Sequence, residues 1–403
     1  MDNKINLNRN ITLSLLITIW VGLLWSRALL SAGMGLLVIH TWWVYRLQCW
    51  DAWKASRWLQ GLTVLFIIPL LSGLWSADHR TWLQVMQVKL PLLVLPFCVP
   101  AFTHLDLQAR KILLWALMIL LVLSMGQSVW WMLREQDRNY LGGAVMKVPM
   151  RDDHVRYSWL LVIGYAWLLG YWLWGYVKNR LLVMGLLVMM AVYIHLLAAK
   201  TGIIGFYLVS GLFVIGYLRR RLWVMWLLVL LPVIAWFTVP SFQQRVKFVR
   251  WDFQNYSRGN YVEGLNDAPR ILSWRAAMDI LGEDPLTGAG AGDARLAMQQ
   301  WYSAHAPFLK PYEQLLPANQ MLIYGVYAGI AGLLVALFVL LMPLWMKPHR
   351  KNMLWFSFHL LAVLGFMYEI ALEMQFGLAI YLVFSLIFFT ASRNDKIGMD
   401  GSF

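Results

Sequence analysis

Charged residues are scarce here, 13% of a 403-residue chain that is 60% hydrophobic. A soluble domain of ordinary composition carries about 25% charged residues to cover its surface, so a soluble globular protein is excluded. Cysteine is nearly absent. Cys49 falls in a break between apolar stretches and Cys98 inside one, so no disulfide framework is implied. No cluster of His, Cys, Asp and Glu has metal-ligand spacing, and neither a metal nor another cofactor is expected. A dinucleotide fingerprint is missing as well, because the run Gly288-Ala289-Gly290-Ala291-Gly292 follows no strand and lies in no βαβ unit. Nothing calls for a nucleic-acid partner.

Apolar sequence is what the chain has in abundance. A spanning helix needs roughly 20 predominantly apolar residues, and such runs recur near 10–26, 28–45, 59–76, 82–103, 111–133, 157–177, 180–198, 201–218, 221–240, 318–345, 353–371 and 373–391. The pattern predicts an all-α polytopic membrane protein with about 12 transmembrane helices. Residues 1–240 hold the first nine, 241–317 form one large extramembrane loop with short helices, and 318–403 hold the last three and a tail. Lys and Arg mark the cytoplasmic breaks: Arg46, Lys54 and Arg57; Arg110 and Lys111; Lys178 and Arg180; Arg219, Arg220 and Arg221; Lys347, Arg350 and Lys351; Arg393 and Lys396. Both termini are therefore expected inside. The first run leads straight into a second without a small-residue cleavage site and reads as an anchor, not a secretory signal. The 24 Trp residues suit interface belts and packing.

The net charge of +14 is not explained by the cytoplasmic breaks alone. Segment 241–317 carries Arg245, Lys247, Arg250, Arg258, Arg270, Arg275, Arg295 and Lys310, and segment 134–156 carries Arg134, Arg138, Lys147, Arg151, His154 and Arg156. Both fall on the outer face. Lys200 sits beside an apolar run, where it is either a loop residue or a site cation. Lys89 sits inside one, roughly 12 Å deep at about 1.5 Å per residue, so it is expected to line a cavity. A cluster of Lys and Arg at the outer membrane face suits a polyanion whose remainder tolerates lipid. A lipid-linked pyrophosphate fits that description, and an anionic headgroup or a transported anion would be served as well.

Within the large loop, Asp267 to Leu281 reads as a helix that stops at Gly282, with Pro269 in its first turn and Asp267 at the positive end of the dipole. Arg270 and Trp274, four apart, share a face. The glycine run that follows is either a tight turn re-aiming the chain or a phosphate-binding nest. The next span opens with Pro317-Ala318-Asn319 and continues through Gly325, Gly329 and Gly332, small residues that permit close packing. Asn319, a polar group at its outer end, is a candidate site residue.

This order of features resembles the O-antigen ligase and O-antigen polymerase superfamily: an even-numbered bundle, a long external loop before the last spans, an Arg-x-x-x-Trp helix, a Pro-x-x-Gly-x-Gly-x-Gly turn and a Pro-x-Asn opening the next span. Asp153-His154-Val155-Arg156-Tyr157-Ser158 is similar to an Asn-His-Ile-Arg-Phe-Ser pattern in one branch of these proteins, and Lys89-Leu90-Pro91-Leu92-Leu93 to a Lys-Leu-x-Leu-Leu pattern. Lys200 falls where the family commonly has Arg, and Glu369 and Glu373 fall where it often carries an acid. The resemblance implies a GT-C-like bundle and a metal-independent, inverting glycosyltransferase in the bacterial inner membrane, its site facing the periplasm. The donor would be a glycan on undecaprenyl pyrophosphate and the acceptor lipid A-core, with another lipid-linked repeat (polymerase) or a protein Ser/Thr (oligosaccharyltransferase) as alternatives. A lipid-linked glycan flippase or transporter is the competing class, for which internal repeats and broken mid-membrane helices would be expected.

On the same resemblance Arg270 and Lys200 are expected to act on the pyrophosphate, with Arg156, His154, Lys89, Asn319, Trp274 and Glu373 binding substrate. One departure matters. The family has Pro-His-Asn where this chain has Pro317-Ala318-Asn319, and alanine cannot replace an imidazole that acts as base or positions the acceptor. Ala318 is therefore expected to be a substitution introduced to inactivate the enzyme. The alternatives are a natural variant that uses His305, His154 or a carboxylate, or one without activity.

Overall fold

The computed structural model describes residues 2–134, 146–217, 223–258, 267–347 and 349–394, and among them every regular element is helical. Arg138, Arg219, Arg220, Arg221 and Lys396 lie outside the described residues, as does part of the large loop. The polar breaks that separate apolar runs supply N-caps, whose side-chain oxygens satisfy amides that a helix start leaves unpaired. Ser26 separates α1 (Asp2–Trp25) from α2 (Arg27–Lys54) and accepts from the Leu29 amide. α3 (Arg57–Ser72) precedes α4 (His79–Val94), which Asp78 caps; a 3-10 turn, Leu95–Cys98, then continues it into α5 (Val99–Thr103). α6 (Leu107–Arg134) is followed by α7 (His154–Leu173), capped by Asp153, α8 (Arg180–Leu197), capped by Asn179, and α9 (Lys200–Tyr217). Then come α10 (Trp223–Thr238), α11 (Pro240–Ser257), α12 (Asp267–Glu283), α13 (Ala294–His305), α14 (Gln320–Leu341), α15 (Met353–Phe366) and α16 (Gln375–Asn394).

Eight helical stretches among the described residues are long and apolar enough to cross a membrane. They stand where eight of the expected spans were placed. The other four positions hold the shorter apolar stretches Arg57–Ser72, Leu228–Thr238 and Met353–Phe366, and α7. The all-α polytopic reading holds, while length and composition carry eight of the twelve crossings. α7 is long enough but rich in Trp and Tyr, and it is buried continuously from Arg156 to Tyr171. A helix hydrophobic all round is one wrapped by protein, and α7 and α16 form that centre. α16 packs on α4, α5, α7 and α15, and α7 on α6, α8, α9 and α15. One sequence-based placement changes: Cys49 lies not in a loop but buried within α2, which resumes after a break at Arg46 (φ 29°).

The glycine run resolves into a clamp. α14 is interrupted at Ala328 and Gly329, the latter at φ 65° and ψ −162°. The stretch after α12 docks there, with the Ile330 amide donating to Pro285 O (2.8 Å) and the Ala289 amide to Val326 O (2.8 Å). On its other side the Ala291 and Gly292 amides donate to Ser72 Oγ (2.9 Å) and Ser76 Oγ (3.1 Å). The Asp293 carboxylate accepts from the Ala77 and Asp78 amides. With the Gly288 amide given to Asp284 O (2.9 Å), the run has spent most of its donors on protein, which disfavours the phosphate nest. A Cβ on Gly329 would stand 2.4 Å from Pro285 O, and one on Gly288 (φ 61°) 2.5 Å from Val326 O.

Gly329→Ala should therefore lower thermal stability, since the backbone conformation alone costs a non-glycine residue about 1–3 kcal/mol before any clash. Gly185→Ala, at a helical glycine with nothing within 4 Å of its Cβ position, should leave the melting temperature of the solubilised protein unchanged. Equal melting temperatures for both variants would remove the clamp from the account.

Candidate functional site

The helix starts of α7, α9 and α12 converge with α11 and with the turn between α15 and α16, and their polar residues meet there. At the head of α7 the cap residue Asp153 accepts from the Arg156 amide (3.1 Å) and from its Nη1 (3.3 and 3.2 Å). Glu369, in the turn after α15, accepts from Arg270 Nη2 at 2.7 Å on one oxygen and stands 3.6 Å from Arg156 Nη2 on the other. One carboxylate thus bridges α7 and α12. Asp267 at the start of α12 accepts from Lys200 Nζ at 2.6 Å and lies 3.7 Å from Arg270 Nη1. Its amide in turn donates to Asp252 of α11 at 2.9 Å.

These groups border a cavity of about 330 Å³ lined by Arg27, Arg151, Arg156, Arg245 and Arg270 with Asp152, Asp153, Glu369 and His154. Cations outnumber carboxylates on its wall, and Arg27 also stands 5.1 Å from the centre of the Phe376 ring. Arg156 Nε and Arg245 Nε are buried with no hydrogen-bond acceptor among the described residues, and the buried Arg156 Nη2 has Glu369 near it only at 3.6 Å. Buried donors are nearly always satisfied, so guanidinium groups left this way in a polar cavity suit an anion. The Arg245 pKa is lowered, first by burial and then by Arg270, while Asp267 and Asp252 act the other way. For His154, outside the spanning part of α7, burial pushes the imidazole below its ordinary value and Arg245 adds to that. The Asp152 carbonyl, Asp153 and Glu369 oppose the shift, and the outcome is an imidazole neutral at neutral pH.

Of the residues singled out from sequence, Arg270, Arg156 and His154 reach this cavity, and Lys200 is tied to it through Asp267. Lys89 is placed elsewhere. It is fully buried, with Glu373 as its ion-pair partner and Tyr324 Oη 3.2 Å away. Glu373 also accepts from Gln320 Nε2 (3.1 Å) and Tyr327 Oη (2.9 Å), so both charges expected to contact substrate serve to lock α4 to α14. The physical reason is the price of a lone cation at membrane depth, which a neighbouring carboxylate lowers more directly than a cavity does. Asn319 caps α14, accepting from the Met321 and Leu322 amides at 2.9 and 3.1 Å. Ala318 is buried beside it; its amide donates to Ser273 Oγ (2.9 Å) and its carbonyl accepts from Trp274 Nε1 (2.9 Å), fastening the start of α14 to α12.

Sequence reasoning passed over Arg27 and did not favour Arg245 or Glu369 over their neighbours. Arg27 carries a signal of its own, a cation in an outer break between two apolar helices. Arg245 was one of eight loop cations, and of the two acids in the turn Glu373 was preferred to Glu369 as the substrate-binding residue.

A family model described as O-antigen ligase matches residues 185–334. That stretch runs from α8 into α14 and includes Lys200, Arg245, Arg270, Trp274, Ala318 and Asn319, while Arg156 and Glu369 fall outside it. No curated protein matches the chain. The match supports the O-antigen ligase and polymerase superfamily, and with it a multi-pass membrane enzyme of glycosyltransferase type.

Because Glu369 competes with any incoming anion for two arginines, Glu369→Gln should tighten binding of inorganic pyrophosphate by about tenfold or more, a fraction of one screened charge interaction at this range. Arg270→Gln should weaken it by a similar factor. Calorimetric titration of the solubilised protein would read both, and a cavity indifferent to pyrophosphate in all three forms is not an anion site.

Proposed function

We propose, from the superfamily that residues 185–334 support, that this protein transfers a glycan from undecaprenyl pyrophosphate to lipid A-core at the periplasmic face of the bacterial inner membrane. The observation that carries the reading is the arginine-lined cavity at the N-terminal ends of α7 and α12, with guanidinium donors that lack acceptors among the described residues. Guanidinium groups match phosphate oxygens in pairs and keep their charge at any physiological pH. In the reaction an acceptor hydroxyl attacks the anomeric carbon, its oxygen bonds to that carbon, and the bond from the anomeric carbon to the pyrophosphate oxygen breaks. Inversion follows from attack opposite the leaving group. Charge gathers on the departing pyrophosphate, where Arg270, Arg156 and Arg245 stabilise it; removing one such donor costs roughly 10²–10³ in rate in well-studied cases. Lys200 holds Asp267, which with Glu369 fixes the angle of Arg270.

The hydroxyl proton needs an acceptor. Ala318 offers none at the position where the family places histidine. His305 stacks on Trp301 of α13, ring centres 4.7 Å apart, and hydrogen-bonds the Trp301 carbonyl. His154 lines the arginine cavity with its pKa lowered by burial and offers a general base free of its proton at neutral pH; attack with inversion requires its imidazole to face the side of the anomeric carbon opposite the departing pyrophosphate. The compact external loop favours lipid A-core over a glycan repeat or a protein as acceptor. A flippase reading has less support, since the cations that line the cavity, Arg27, Arg151, Arg156, Arg245 and Arg270, gather at one site.

Transfer of a labelled glycan to lipid A-core in proteoliposomes tests the reading. Arg270→Ala should reduce the rate by about 10²-fold or more with the protein still folded; full activity takes it out of the site. Activity should rise with pH through a value below 6.5 and stay flat above it, because protonated His154 cannot accept a proton, and His154→Gln should remove that limb along with most of the rate. Ala318→His is the companion variant: a gain of transfer places the base at 318 and marks Ala318 as the inactivating residue, whereas no gain leaves His154 as the base.

A further inference from the structure

A larger cavity lies away from the arginines. It measures about 950 Å³ between α7, α8, α9 and α10, and its wall is mainly apolar, with Leu187, Ala191, Phe213 and Leu231 among its residues. Lys178 and Arg180 close one end of it. These two flank the α8 cap Asn179, in the break where α7 has ended and α8 begins, so they stand at the opposite end of α7 from His154 and Arg156. Lys111 adds a third cation at that end, its Nζ 5.9 Å from the ring centre of Tyr176.

Two observations select the occupant. First, no Asp or Glu occurs anywhere between Asp153 and Asp252, so the helices walling the cavity bring no counter-charge to Lys178 and Arg180. Second, α8 follows the cavity from Arg180 to Val192, roughly 18 Å at about 1.5 Å per residue, close to the half-thickness of a hydrocarbon core about 30 Å deep. Cations at the mouth and a slot one leaflet deep match a phosphate headgroup with its acyl chains. A prenyl tail entering from the arginine cavity would arrive uncharged, and the two cations would have no part in holding it.

We infer that the α7–α10 cavity is a binding site for an anionic phospholipid of the leaflet on the Lys178 side, the cytoplasmic one by the distribution of basic breaks. Its headgroup phosphate is held by Lys178 and Arg180, and its chains fill the space along α8. The lipid fills the gap that α7, α8, α9 and α10 leave at the end opposite the glycan site, and so acts as a structural ligand of the bundle. The assignment stands independently of which acceptor the arginine cavity serves.

The test uses the full chain, stripped of lipid in detergent and offered vesicles of phosphatidylglycerol or of phosphatidylcholine, with retained lipid read by native mass spectrometry. Phosphatidylglycerol should be retained at least tenfold over phosphatidylcholine. Lys178→Gln with Arg180→Gln should abolish that preference, and Ala191→Phe, which fills the slot and leaves the charges in place, should abolish retention of both lipids. Equal retention of the two lipids by the unaltered chain, retention unaffected by the charge variants, or a prenyl phosphate as the retained species would each overturn the assignment. Should the charge variants fail to fold, the Ala191→Phe comparison decides alone.

Discussion

A guanidinium at the end of a helical bundle is held in one direction by a carboxylate against it, and Glu369 does this for two at once, the buried Arg156 and the half-buried Arg270. Arg156 belongs to α7 and Arg270 to α12, elements far apart in the chain, and the turn after α15 reaches both. Asp153 and Asp267 complete the set, each seated at a helix start where its negative charge also suits the dipole. The result is a cavity with a surplus of cations whose orientation is fixed by acids without being cancelled by them. Buried pairs of this kind often add little net stability; what they add here is the angle at which each guanidinium faces the cavity.

The same economy governs the interior. Lys89 and Glu373 neutralise each other under Tyr324 and Tyr327, and Gln320 bonds Glu373 with one end and the Leu372 amide with the other. This joins α4, α14 and the turn that carries Glu369, so the rigidity of the site begins in a pair that never touches it. The clamp after α12 works from the other side. By seating the 285–292 stretch in the break of α14 and on the turn after α3, it sets the end of α12 and thereby the direction in which Arg270 projects.

Much of the fold was legible because apolar length and polar punctuation are local properties. Every expected span has a helix in its place, and the loop helix predicted from Asp267 appears with Pro269 in its first turn. The site was legible in part. His154, Arg156 and Arg270 stood out through their motifs, whereas the sequence pointed to Glu373 where the structure sets Glu369 at the cavity, since each is an acid in the same short turn and only a helix neighbour decides which cation it meets. Asn319 looked like a site residue for the same reason that it makes a good cap: both roles need a polar side chain at a helix start.

By itself the sequence determined that the chain is an all-helical membrane protein with an unbalanced set of cations, because composition, run length and helix-terminal chemistry act within a few residues of each other. Only the tertiary structure decided which of those cations face a cavity and which are spent on packing. That choice turns on where the cheapest carboxylate lies, and for Lys89, Arg156 and Arg270 that partner, or one of two, is more than 90 residues away along the chain.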